Sequence, residues 1–125
     1  MSLQVDVFVI GDDGEMDLLD VPDGCSDLAG FEDWRKTVWG SAVVRSLGAR
    51  FFPHLADGDL TVSPDQVADF LAECALIRGN LEAVAPRRDP ALRDEGYLRQ
   101  VSARLANIEA AAERARGCGG GVLVW

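Results

Sequence analysis

The chain has 125 residues, 48% of them apolar and 26% charged, with Asp+Glu 21, Lys+Arg 12 and one His for a formal net charge of −9. That composition is globular: it excludes intrinsic disorder, and the lack of any period excludes collagen-like and repeat architectures. The length suits one domain, 1–125, able to bury about two-thirds of its unfolded surface without disulfides or metal.

Leu3, Val5, Val7 and Val9 alternate with Gln4, Asp6, Phe8 and Ile10, which predicts a strand with one apolar face. Asp12-Asp13-Gly14 is a turn signal and Glu15 to Leu19 a short returning strand, so the chain opens on a hairpin. Val21 to Ser26 reads as loop. Phe31 to Leu47 is predicted to be helical, with Phe31, Trp34, Val38 and Ala42 on one face. Glu32 and Asp33 fall in its first turn, where the helix dipole favours acids. Gly40-Ser41 marks a split or kink in it, and Gly48 a stop. Trp34 and Trp39, five apart, cannot share one narrow α-helical face, which leaves Trp39 near the edge.

Arg50 to Pro53 reads as extended or turn-like, and Asp59 to Val62 as a short strand. Ser63-Pro64-Asp65-Gln66 is a capping box with Pro at the first helical position. Val67, Phe70, Cys74, Ile77, Leu81 and Val84 then recur at intervals of three and four, as do Leu98, Val101, Leu105, Ile108, Ala112 and Ala115. With the Pro86–Pro90 loop between them, the two series predict an antiparallel αα-hairpin. The glycines at 117 and 119–121 stop the last helix, and Val122 to Trp125 forms a strand beside the first one. The expected fold is therefore α+β: a small, mostly antiparallel sheet, the N-terminal hairpin plus the C-terminal strand, packed on helices.

Charge is unevenly spread along these elements. Residues 1–34 hold ten acids (Asp6, Asp12, Asp13, Glu15, Asp17, Asp20, Asp23, Asp27, Glu32 and Asp33) and no base. All 12 bases and the other 11 acids lie in residues 35–125. A chain so acidic is a poor ligand for phosphates, so no direct nucleic-acid binding is expected. Cys25, Cys74 and Cys118 form no C-x-x-C pair, the N-terminus has no basic leader, and no stretch nears the roughly 20 apolar residues of a membrane span. The expectation is a cytoplasmic protein with reduced thiols and no membrane association.

His54, the only histidine, has no nucleophile motif near it, so no catalytic residue is assigned. Asp12, Asp13, Glu15 and Asp17 crowd one turn without the spacing of a calcium loop, and the scattered Cys and single His offer no zinc pair. Neither metal nor cofactor is expected. The glycine run follows a helix, the reverse of a phosphate loop.

Two functional readings remain. The first is a non-enzymatic protein-interaction module of the immunity, inhibitor or adaptor type. It would bind a basic protein partner through Asp17, Asp20, Asp23 and Asp27, with Trp39 as an aromatic contact. The second is a small-molecule or metal-binding domain, open to enzymatic activity, with a pocket near Arg50, His54, Asp57 and Asp59. Leu71 and Leu76 add a second apolar stripe that offers a route to homo-oligomerisation.

Overall fold

Strand pairing organises the structure, a computed structural model that describes residues 2–85 and 95–125. Five strands, β1 (Ser2–Ile10), β2 (Met16–Leu18), β3 (Leu28–Phe31), β4 (Leu60–Val62) and β5 (Gly121–Val124), form one sheet in the order β2-β1-β5-β4, with β3 also paired to β1. Every pairing is antiparallel. Leu19 N–H donates to Val7 O and Val5 N–H to Asp27 O, both at 2.8 Å. Thus β2 and β3 share one edge of β1, and residues 20–26 loop out between them.

The predicted opening hairpin and the pairing of β5 with β1 are both present. Gly14, at φ 80°, makes the turn, and Asp13 Oδ1 accepts the N–H of Glu15 at 3.0 Å. The closing glycines do more than stop a helix. Gly119 has φ 71° and Gly120 N–H donates to Ala115 O at 2.8 Å, a Schellman end to α4 (Glu95–Cys118). Beyond it, a Cβ on Gly121 would lie 2.4 Å from Phe8 Cζ, so glycine is what lets the Phe8 ring lie across β5.

The helices lie on one side of the sheet. Leu3, Val5, Val7, Leu60, Val62, Val122 and Val124 point into a core shared with them. Helix α2 (Val67–Arg78) begins after a 3-10 turn, Pro64–Gln66, and the predicted capping box is complete, with Gln66 Oε1 accepting Ser63 N–H at 3.2 Å. Both heptad series face inward: Leu81 and Leu98 are partly buried and the other ten members are fully buried. The first series is broken by Gly79-Asn80, so Leu81 and Val84 belong to a separate turn, α3 (Leu81–Val84). Arg78, at the end of α2, reaches Ser102 and Glu109 of α4 and holds the two helices together. The Pro86–Pro90 loop lies outside the described residues.

The predicted helix over Phe31 to Leu47 is corrected. Its first residue ends β3, which pairs with the start of β1. A π turn follows at Arg35–Trp39, then a short helix α1 (Ala42–Ser46) whose N-cap, Ser41, accepts Val44 N–H at 3.3 Å. The split falls at Gly40, where a Cβ would meet Arg35 O at 2.2 Å and Ala56 Cβ at 2.7 Å. A π turn spaces residues five apart onto one side, so Trp34 and Trp39 both enter the core, edge to face at 5.8 Å. Glu32 answers to Arg35 at 2.6 Å rather than to a helix dipole.

Candidate functional site

The alternation that sends Leu3, Val5 and Val7 inward leaves Gln4, Asp6, Phe8 and Ile10 on the opposite face of β1. Directly opposite partners share a face. Met16 and Leu18 therefore stand beside Ile10 and Phe8, and Leu123 stands beside Asp6. Leu28 lies opposite Gln4, and Phe31 opposite Ser2. Trp125 exchanges backbone hydrogen bonds with Gln4, and its indole N–H donates to Asp6 Oδ2 at 2.7 Å. Phe8 is buried on this face, but its neighbours stay open to solvent. Ile10 (54%), Leu18 (44%), Phe31 (44%), Trp125 (43%), Met16 (41%) and Leu28 (41%) are all exposed on it.

Around those side chains the charge has one sign. No Lys or Arg stands on any described strand. Asp17 is exposed at the edge of the sheet on β2, paired with Val9 and so turned away from Met16 and Leu18, and Asp20 and Asp23 are exposed in the loop 20–26. Asp27 is half-buried and accepts Gln4 Nε2–H at 3.0 Å. Four of the five residues assigned to partner contact thus border this sheet. Trp39 does not. It is fully buried, its indole N–H donating to Ala29 O at 2.9 Å, because the π turn swings it inward.

The second assigned group is divided. Arg50 and His54 line an open cleft of about 250 Å³ together with Phe51, Leu60, Thr61, Gln66 and Asp69. Asp57 and Asp59 are not part of it. Asp59 accepts from Arg35 Nη2 at 3.0 Å instead, and Arg35 also donates to Leu55 O and Gly58 O. Gln66 and Asp69 come from the 3-10 turn before α2 and from its first turn, which local sequence does not join to residues 50–59.

Glu73 went unnoticed in the sequence. It is buried, and its carboxylate accepts the successive N–H groups of Arg50, Phe51 and Phe52. The signal was present: Glu73 sits three residues after Phe70 and four before Ile77, on the core stripe of α2. Its effect is to fix the backbone entering the 3-10 turn Phe52–Ala56. His54 is exposed on that turn, and its imidazole makes no hydrogen bond among the described residues. Cys25 and Cys118 are exposed, while Cys74 is buried. Burial, with Glu109 and Glu73 adding, pushes the Cys74 thiol upward, so it carries no thiolate at neutral pH.

Among the described residues no group of three or more His, Cys, Asp or Glu could hold a metal ion, and no helix is long and apolar enough to cross a membrane. No protein-family model, curated protein or solved structure matches the chain.

Proposed function

We propose that the chain is a protein-interaction module that docks a basic protein on the uncovered face of its sheet. The observation that carries this reading is six exposed large apolar side chains on a sheet whose strands bear acids and no base. Exposed apolar patches rimmed by polar groups mark contact sites. The charge identifies the kind of partner. Two copies of this face brought together would oppose acid to acid, a juxtaposition that costs several kcal/mol, so a second copy fits poorly. A partner with an apolar centre and a Lys/Arg rim meets both features, and long-range attraction speeds its approach. Inhibition of a basic protein, or adaptor binding to one, is the form of activity such a surface supports.

Affinity capture with the tagged chain at low and high salt tests this. The wild type should retain a protein of basic pI, less of it as salt rises, and both Leu18→Arg and the Asp17→Lys/Asp20→Lys double variant should lose it. The reading is overturned if nothing is captured, if retention ignores salt, or if both variants retain the same protein.

A further inference from the structure

The segment from Arg50 to Asp59 contains a single 3-10 turn, yet charge holds it at both ends. At its start Glu73 accepts three successive backbone N–H groups. At its end Arg35 binds Leu55 O, Gly58 O and Asp59. A carboxylate taken out of water is costly unless its lone pairs are filled. Here they are filled by the backbone of Arg50, Phe51 and Phe52, the first two of which line the cleft, so that part of the lining is set before any ligand arrives.

Phe52 and Leu55 point into the core, which leaves Arg50 and His54 outward on the cleft wall. The same cleft is lined by Asp69 from α2, by Gln66 from the 3-10 turn before it and by Thr61, with Phe51 and Leu60 as apolar lining. Among the described residues the side chains of Arg50, His54, Thr61 and Asp69 make no hydrogen bond or ion pair with the protein. The cleft thus offers a cation, an imidazole, a carboxylate and apolar surface, with none of the polar groups used by the fold among the described residues.

The geometry points to a binding site for a small free α-amino acid with an apolar side chain. Its carboxylate meets Arg50 and His54, its ammonium group meets Asp69, and its side chain lies on Phe51 and Leu60. Arg presents a planar fork suited to a carboxylate. A simple anion leaves Asp69 unmatched and a simple amine leaves Arg50 unmatched; a zwitterion answers both charges that line the cleft. The volume, about 250 Å³, is below the roughly 300 Å³ lower bound for drug-sized ligand sites, so the ligand is metabolite-sized. This site stands apart from the sheet face and does not depend on the role proposed for it.

Because His54 is the only histidine, its imidazole proton resonance reports the cleft without assignment. Titration with L-alanine, L-valine and L-leucine should shift that resonance saturably for at least one of them. Propionate, which lacks the ammonium, and alaninamide, which lacks the carboxylate, should bind at least about ten-fold more weakly, a difference of about 1.4 kcal/mol. Arg50→Gln and Asp69→Asn, both exposed and outside the core, should each weaken binding by a similar factor with the fold intact by circular dichroism. Absence of any saturable shift overturns the proposal. So does propionate binding as well as the amino acids, or either variant binding like wild type.

Discussion

Arg78 and Asp17 are both charged residues on regular elements, and the structure treats them differently. Arg78 donates to both carboxylate oxygens of Glu109 and to Ser102, closing α2 against α4. Asp17, in the middle of β2, is exposed and has no ion-pair partner among the described residues. The contrast extends to their surroundings. From residue 35 onward, charge fastens the fold: Arg35 to the loop ending at Asp59, Glu73 to the backbone at 50–52, Arg78 to Glu109. In residues 2–34, Glu32 alone meets a cation among the described residues; Asp6, Asp13 and Asp27 accept from neutral donors. The net charge of −9 is therefore concentrated where the fold does not consume it, on the same sheet that leaves apolar side chains in water.

The sharpest way to break this contrast is to ask whether the sheet half is simply loosely built. Its inner side is not. Gly30 has φ +117°, and a Cβ there would lie 2.4 Å from Trp34 Cε3. Gly30→Ala combines a strained backbone with overpacking against a buried indole, and should lower unfolding free energy by about 3 kcal/mol. A urea midpoint within about 1 kcal/mol of wild type would show that the Trp34 contact is slack. In the other half Glu73→Gln should cost about 2 kcal/mol, because three backbone donors lose a charged acceptor. Arg78→Met should cost about 1 kcal/mol or less, since that pair is partly exposed and solvent screens it.

Cys74 tests the dryness of the α2–α4 contact by pH. Its thiol is raised above the ordinary 9.0 by burial first and by Glu109 and Glu73 second. Above about pH 9 the unfolded chain ionises this thiol and the folded chain does not, so stability falls as pH rises, by roughly 1.4 kcal/mol per unit. Urea midpoints compared near pH 8 and pH 10 should show a steeper decline for wild type than for Cys74→Ala. A thiol reagent should label Cys25 and Cys118 in the native protein and Cys74 only on unfolding. Equal slopes, or three fast thiols, would mean that the contact admits water.

Which of these features the sequence disclosed follows from how local they are. Period two in β1, the capping box at Ser63 and the three-four spacing of Val67 to Ile77 each depend on neighbours a few residues away, and each appears in the structure. The helix expected from Phe31 failed because helix signals at Glu32 and Asp33 competed with strand pairing to Ser2 and Leu3, a contact set by the far end of β1. The same distance effect hid the cleft. Arg50 and His54 are four residues apart in sequence and line the same cleft; Gln66 and Asp69 join them only when β4 turns the chain back. Trp39 was misplaced because α-helical spacing was applied where a π turn forms. Asp59 looked available only because Arg35 lay 24 residues away.

The smallest expected change in stability is the most informative about the sheet face. Asp17→Asn/Asp20→Asn/Asp23→Asn removes three exposed acids that bind nothing among the described residues. Had those carboxylates been part of the sheet's structure, as Glu73 is part of the loop's, the triple variant would lose several kcal/mol, because unpaired donors would remain behind. Their exposure predicts instead a change within about 0.5 kcal/mol, with a slight gain from reduced self-repulsion at low salt. That gain should vanish as salt rises, since charges farther apart than about 10 Å are screened at 0.1 M. Urea titrations of wild type and variant at two ionic strengths measure both terms. A loss above about 1 kcal/mol would assign the acids to the fold and remove the reason to look for a basic partner. A neutral or positive result leaves the charge, like the six apolar side chains beside it, without a role inside the molecule.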